Sequence, residues 1–189
     1  GTVMVKDINP GSSSSSPTSL TPFNGELYFR ADDGSNGNEL WKTDGTEAGT
    51  VMVKDINPGS SNSYPTYLAP FNGELYFRAD DGSNGKELWK TNGTEAGTVM
   101  VKDINPGSAH SYPSDLTPFN GELYFYATDG SNGTELWKTD GTEAGTVMVK
   151  DINSGSSDSS PDYLTPCNGT LYFVANDGTN GNELWKTDG

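Results

Sequence analysis

Glu39-Leu40-Trp41-Lys42-Thr43-Asp44-Gly45-Thr46 is the central motif of this 189-residue chain, because its repetition predicts the fold. It returns at 87–94, with Asn92 in place of the aspartate, and at 135–142, and the chain stops inside a fourth occurrence at Gly189. The spacing is 48 residues each time. A fixed period of this length indicates a repeat architecture, in which each copy is one supersecondary unit. The sequence therefore predicts one repeat domain, 1–189, with units 1–48, 49–96, 97–144 and a shorter 145–189.

Each unit carries the pattern of four short strands. In the second unit, β-branched residues alternate over Thr50–Ile56, which predicts the first strand. A second strand is expected over Tyr64–Phe71, where the prolines limit regular pairing. Asn72-Gly73 is a hairpin signal, and strands follow over Glu74–Ala79 and Glu87–Thr91. No segment shows the 3.6-residue apolar period of a helix.

Four antiparallel strands in a unit of this size are typical of a propeller blade. We expect an all-β, β-propeller-type array with four blades of four antiparallel strands. The last unit lacks one strand, and Thr2–Ile8 has the sequence of the missing one. We expect Thr2–Ile8 to complete the last blade of its own chain or of a neighbouring chain, which would give a closed ring, a larger ring or a filament.

The charge of the chain limits the classes of partner. It has 26 acidic and 11 basic residues and a net charge of −15. A phosphate backbone and an anionic membrane surface would be repelled, so we expect neither a nucleic-acid partner nor membrane insertion. Cys167 is the single cysteine and stands where the other units have Phe23, Phe71 and Phe119, so we expect it to fill a core position.

The motif quoted above is followed by Glu-Ala-Gly-Thr-Val-Met-Val-Lys-Asp-Ile-Asn-Pro-Gly, and together they resemble the ELWxxDGT repeat family. That family looks like a set of bacterial, often cyanobacterial, secreted or surface proteins. The resemblance implies a propeller-like fold and an extracellular or cell-surface location, and it implies no activity. Two positions depart from the motif, Asn92 for aspartate and Ser154 for proline.

One tryptophan recurs in the most regular strand of each unit, and it has two interpretations. Large aromatic side chains contribute much of the buried area where blades pack, so the structural interpretation is contact between blades. The functional interpretation is a ring of platforms for sugars. The four positions are Trp41, Trp89, Trp137 and Trp185.

An aspartate also recurs beside a glycine-rich turn, at Asp33, Asp81, Asp129 and Asp177. Oxygen ligands near a tight turn are a feature of calcium loops, but the EF-hand spacing is not met because its middle ligand is missing. Asp-Gly and Asn-Gly are also ordinary turn formers. We therefore expect no cofactor, and calcium at these four aspartates is the weaker interpretation.

The units differ mainly in one loop and at one strand position, and variable positions of this kind are either unconstrained surface or a contact surface. Tyrosine suits a contact surface because it binds with little loss of entropy. The candidate contact residues are Arg30, Tyr64, Tyr67, Arg78, His110, Tyr112, Tyr126 and Tyr163. Three sequons, at Asn92, Asn132 and Asn168, are candidate glycosylation sites, although each lies in a predicted turn.

No catalytic set emerges from the sequence. The single histidine, His110, lies in the most variable loop of one unit, so no Ser/His/Asp triad is indicated. We expect a non-enzymatic structural or interaction module of an extracellular surface or filament protein, whose partners are copies of itself or matrix. A lectin-like propeller with one shallow glycan site per blade is the alternative, and a calcium-dependent scaffold is the third possibility.

Overall fold

The structure, a computed structural model, describes residues 1–189 and consists of fifteen β-strands without a helix. The first eight strands are β1 Thr18–Phe23, β2 Glu26–Asp32, β3 Asn38–Thr43, β4 Val51–Lys54, β5 Thr66–Phe71, β6 Glu74–Asp80, β7 Lys86–Thr91 and β8 Val99–Lys102. The other seven are β9 Ser114–Phe119, β10 Glu122–Thr128, β11 Thr134–Thr139, β12 Val147–Lys150, β13 Asp162–Cys167, β14 Thr170–Asn176 and β15 Asn182–Thr187.

These strands form four antiparallel sheets, each built from consecutive strands in chain order. Sheet 1 is β1–β4, sheet 2 is β5–β8 and sheet 3 is β9–β12, whereas sheet 4 has only β13–β15. The first strand of each sheet packs against the first strand of the next, and β13 makes no comparable contact with β1. The fold is therefore all-β and propeller-like, and its sheets do not close into a ring.

Local sequence explains the regularity of each sheet. The two central strands pair without interruption, for example from Leu75↔Thr91 to Asp80↔Lys86. The turn before them has two residues with positive φ, Asn72 at 48° and Gly73 at 78°, as a tight hairpin requires. The register of the proline-containing β5 shifts between Thr66 and Ala69, and this strand lies at an edge of its sheet, where a missing N–H is tolerated.

The core lies between sheets rather than within one. Its first cluster joins Phe23, Tyr28 and Leu40 of sheet 1 to Phe77 and other residues of sheet 2. A second cluster joins sheets 2 and 3, and a third joins sheets 3 and 4. Because each sheet buries its apolar surface only against its neighbours, stability in such a fold comes from nearest-neighbour interfaces.

The prediction of a strand over Thr2–Ile8 is wrong for this structure. Residues 2–8 belong to no sheet, and the side chains of Val3 and Met4 are 83% and 76% exposed. The fourth sheet consequently has three strands instead of the expected four. The physical reason is the distance between the ends: since β13 does not pack back on β1, the free edge of β15 does not reach this segment of its own chain.

Candidate functional site

A buried glutamate in the third strand of each complete sheet accepts hydrogen bonds from the chain segment that leads into the next sheet. Glu87 accepts hydrogen bonds from the backbone N–H groups of Ile104 and Ser111, both at 2.9 Å, and from the Ser111 hydroxyl at 2.6 Å. Glu39 binds Ile56 and Ser63 in the same way, and Glu135 binds Ile152 and Ser159. Burial raises the pKa of Glu87 to about 7, although the hydrogen bonds from Ser111 and Ile104 oppose this shift.

The sequence prediction missed these glutamates. A signal was present, because a glutamate recurs on the same side of this strand as the tryptophan, and a buried carboxylate needs several hydrogen-bond donors. The donors could not be found from the sequence, since Ser111 lies 24 residues after Glu87. Only the packing of the connection against the strand brings them together.

In sheet 4 the third strand, β15, is not covered by a following strand and connection. The sequence of β15, Asn-Glu-Leu-Trp-Lys-Thr, is identical to that of β3, but no fourth strand pairs with it. Glu183 is exposed, and Leu184 is 72% exposed, whereas the corresponding Leu40 is fully buried. We call the unpaired side of Asn182–Thr187 the open edge. It presents unpaired backbone groups beside uncovered apolar side chains.

We call residues 2–8 the opening segment. It contacts sheet 1 in the way that the fourth strand of one sheet contacts the next sheet along the chain. The Lys6 ammonium group donates to the Thr50 carbonyl at 2.8 Å, as Lys54 donates to Thr98 and Lys102 to Thr146. Between this segment and sheet 1 is a cavity of about 200 Å³ lined by Val5, Ile8, Leu20, Leu27 and Phe29, among others. In the next interface, Leu40 and its neighbours pack in the equivalent position.

A second feature is formed by aromatic and basic side chains on sheets 1 to 3. We call it the tyrosine–arginine patch, and it consists of Arg30, Tyr64, Tyr67, Arg78, Lys86 and Tyr112. The Arg78 guanidinium carbon is 4.7 Å from the centre of the Tyr67 ring and 5.9 Å from that of Tyr112. Arg30 lies 5.8 Å from the Tyr64 ring, and Lys86 lies 5.5 Å from Tyr112 and 6.0 Å from Tyr64.

The structure brings together five of the eight predicted contact residues in this patch and adds Lys86, which the sequence prediction omitted. His110 borders the patch: its ring is 5.0 Å from that of Tyr112, and its Nδ1 accepts a hydrogen bond from the Lys86 backbone at 2.9 Å. Tyr126 takes the place of arginine in sheet 3, and burial raises its pKa. Tyr163 is at the start of sheet 4 and is 71% exposed.

Three of the four tryptophans lie at contacts between sheets, and Trp41 packs within sheet 1. Trp89 belongs to the cluster that joins sheets 1 and 2, and Trp137 belongs to the one that joins sheets 2 and 3. Trp41 packs with Phe29 and Ala31. Trp185 packs against the third cluster and donates to the Ala175 carbonyl at 3.0 Å. The first three are buried, so their rings are not available as platforms for sugars.

The four candidate calcium aspartates each fold their own turn. Asp81 accepts hydrogen bonds from the Ser83 and Asn84 backbone and from the Asn84 amide, at 2.8 to 2.9 Å. Asp33, Asp129 and Asp177 make the same bonds. The structure contains no group of three or more His, Cys, Asp or Glu side chains that could hold a metal ion.

The three sequons differ in accessibility. Asn92 and Asn168 are exposed, whereas Asn132 is half-buried and donates its side-chain amide to Asp129 at 2.7 Å. Modification of Asn132 would therefore break its turn. Cys167 is a free, exposed thiol rather than a core residue, which corrects the expectation from its alignment with three phenylalanines. The structure has no helix with the length and hydropathy needed to cross a membrane.

Comparison with known proteins concerns the fold. No protein-family model and no curated protein sequence matches the chain. The crystal structure of puromycin hydrolase superposes with a TM-score of 0.60 at 18% identity, over 91% of this chain and 26% of that one. The computationally designed Ika8 protein gives 0.48 at 15% identity, over 91% and 46%. An α-L-arabinofuranosidase from Clostridium thermocellum gives 0.40 at 18% identity, over 97% and 72%.

The similarity to puromycin hydrolase is one of strand arrangement, since 18% identity carries no information about a shared activity. The chain spans about a quarter of that protein's length.

Proposed function

We propose that this protein is a non-enzymatic interaction module that associates head to tail with copies of itself. The opening segment of one copy would add to the open edge of another as the missing fourth strand. This mode is β-strand addition, in which backbone hydrogen bonds supply affinity and side-chain pockets supply specificity. An extracellular or cell-surface setting, which the ELWxxDGT resemblance implies, is part of the same proposal.

One observation supports the proposal: the chain contains the sequences of both halves of the contact, and sheet 1 pairs two strands with these same sequences. Residues 2–12 are identical to residues 50–60, and β15 is identical to β3. In sheet 1, Trp41 pairs with Met52 and Lys42 with Val51. The same register between copies pairs Trp185 with Met4 and Lys186 with Val3.

The side chains support this register as well as the backbone. Leu184 and Tyr172 of one copy would enter the cavity beside Ile8 and Phe29 of the next, as Leu40 and Tyr28 pack on sheet 2. Glu183 would accept hydrogen bonds from the Ile8 backbone and from Ser15, as Glu39 does from Ile56 and Ser63. The exposed carboxylate of Glu183 would thereby gain the hydrogen-bond partners that the corresponding glutamates have in the other three sheets.

Sedimentation velocity over a range of concentrations tests the proposal. We expect the wild-type chain to form oligomers and Met4→Pro to remain monomeric, because proline removes a backbone donor from the added strand. The melting temperature of the monomer should not change, since Met4 is exposed in the free chain. Gly1→Pro, outside the paired positions, is the control. A wild-type chain that stays monomeric at high micromolar concentration, or equal association of the Met4→Pro variant, would contradict the proposal.

A further inference from the structure

The tyrosine–arginine patch gathers basic side chains, which are a minority among the charged residues of this protein. The chain has 26 acidic residues and only two arginines, Arg30 and Arg78. Both are partly buried, at equivalent positions of sheets 1 and 2. Their joint occurrence beside three exposed tyrosines is a concentration of positive charge on a protein of net charge −15.

The cations of the patch have no carboxylate partner. The three ion pairs of the protein are Lys42–Glu26, Lys90–Glu74 and Lys138–Glu122, none of which involves the patch. Arg78 donates to the Ser114 hydroxyl at 3.1 Å, and the guanidinium has five N–H donors in all. The Arg78 guanidinium therefore keeps N–H donors for an anion. The Nε of Arg30 also lacks a hydrogen-bond partner, but it is buried.

The tyrosines of the patch are held in an unfavourable backbone conformation. Their φ angles are 49° for Tyr64, 57° for Tyr67 and 51° for Tyr112, in the left-handed region that costs a non-glycine residue about 1 kcal/mol or more. The corresponding positions of the outer sheets hold Ser16, Ser19 and Ser160 at similar angles. The backbone therefore accepts serine, and does not require tyrosine.

The rings are open to solvent. Tyr64, Tyr67 and Tyr112 are 44%, 46% and 47% exposed. The tyrosine rings of the patch supply an apolar surface with hydroxyl groups at its margin. The guanidinium groups beside them supply hydrogen-bond donors for a planar anion. A pyranose ring presents C–H groups on its face and hydroxyls at its rim, and a carboxylate matches the two-pronged geometry of arginine.

We propose that the tyrosine–arginine patch binds an acidic saccharide, with the sugar carboxylate on Arg78 and the sugar rings on Tyr67 and Tyr112. Arg30 with Tyr64 forms a weaker neighbouring subsite for the same chain of sugars. A short acidic oligosaccharide tolerates the net charge of the protein because, at physiological ionic strength, charges further than about 8 Å away are screened. Nucleic acid fits less well, since its affinity depends on neutralising many phosphates.

The other sheets supply variants that the fold already accommodates. Arg78→Val introduces the residue that sheet 4 has at position 174, and Tyr67→Ser and Tyr112→Ser introduce those of positions 19 and 160. Tyr163→Ser is the matched control, because Tyr163 is also an exposed tyrosine, with a φ of 58°, but lies outside the patch. Melting curves would verify that each variant is folded.

Titration calorimetry with trigalacturonate, and with the same trisaccharide methyl-esterified at its carboxylates, tests the proposal. We expect the acid to bind and its ester to bind at least about 10-fold more weakly. Arg78→Val and Tyr67→Ser should each weaken binding by about 10-fold, and Tyr163→Ser should not change it. No binding at millimolar concentration, equal binding of acid and ester, or tighter binding of an acidic peptide or a dinucleotide would overturn the proposal. The patch is separate from the open edge, so this outcome is independent of self-association.

Discussion

At the scale of single residues, the carboxylates of Glu39, Glu87 and Glu135 have the largest structural consequence. Each is fully buried and ties its sheet to the chain segment that leads into the next. Burial favours the protonated carboxyl group of Glu87. In that form the carboxyl group can donate a hydrogen bond to the Ser111 hydroxyl, and this hydroxyl can then donate to the Lys86 carbonyl. The contact between sheets is therefore sensitive to pH.

The first prediction concerns this sensitivity. The pKa of Glu87 is about 7 in the fold against 4.5 for an ordinary glutamate, so between these values the folded chain binds more protons than the unfolded chain. The free energy of unfolding should then fall as the pH rises from 5 to 8, by roughly 1–3 kcal/mol for Glu87 and by a similar amount for Glu39, whose pKa burial also raises to about 7. Urea unfolding midpoints at the two pH values measure the effect.

Glu87→Gln separates this contribution from that of other groups. The variant cannot ionise, so its midpoint should change less between pH 5 and 8 than that of the wild type. At pH 5 it should be less stable by about 1–3 kcal/mol, because an amide N–H₂ would face the backbone N–H of either Ile104 or Ser111. Glu95→Gln, at an exposed position outside the open edge, should behave as the wild type. An unchanged pH response in Glu87→Gln would refute this role.

A second residue-scale prediction concerns Cys167. In sheets 1 to 3 the equivalent phenylalanine is buried and lies edge-on to a tyrosine, for example Phe23 to Tyr28 with ring centres 5.5 Å apart. Cys167→Phe would restore this ring on the uncovered face of sheet 4, where Cys167 lies with Tyr172 and Leu184. Because the ring would be covered only on association, we expect the dissociation constant between copies to fall about 10-fold, as measured by sedimentation equilibrium. Cys167→Ser should not tighten association, and an unchanged constant for the phenylalanine variant would place Cys167 outside the contact.

At the scale of elements, one sequence has two structures. Thr-Val-Met-Val-Lys is a strand at Val51–Lys54, Val99–Lys102 and Val147–Lys150, and it is not a strand at residues 2–6. The three strands have a preceding partner in β3, β7 and β11. Strand formation here therefore depends on an available edge, because β-propensity expresses the fit to neighbouring strands.

A peptide with the sequence of residues 2–15 tests the element by itself. We expect it to bind the open edge, to slow hydrogen exchange of the backbone amides of Asn182–Thr187, and to inhibit association of the intact chain. A peptide of the same composition in scrambled order is the control. Exchange that slows equally with both peptides, or at strands far from β15, would show that the pairing is not specific.

At the scale of the whole molecule, four sheets are stabilised by three interfaces between neighbours, and the row does not close on itself. A contact between the front of one copy and the back of another is heterologous, so it produces either a ring or a filament, according to the rotation between copies. The charge of −15 on each copy opposes either assembly.

The final prediction follows from that charge. Raising the salt concentration shortens the screening length from about 10 Å at 0.1 M to about 3 Å at 1 M, which weakens repulsion between copies. We expect association to strengthen several-fold between 0.05 and 0.5 M NaCl, measured by light scattering at constant protein concentration. Sodium sulfate at equal ionic strength serves as a comparison, and weaker association at high salt would indicate that ion pairs hold the copies together instead.

The sequence by itself determined the local structure: the alternating apolar residues, the Asn72-Gly73 turn and the proline positions fix the strands and hairpins, because these depend on neighbours within a few residues. The tertiary structure alone decided three matters, namely that Thr2–Ile8 is unpaired, that Glu87 is buried among donors 17 and 24 residues away, and that Lys86 joins the tyrosines. Each depends on how one sheet is placed against the next. Identical local sequences such as residues 2–6 and 50–54 do not specify whether a neighbouring strand is available for pairing.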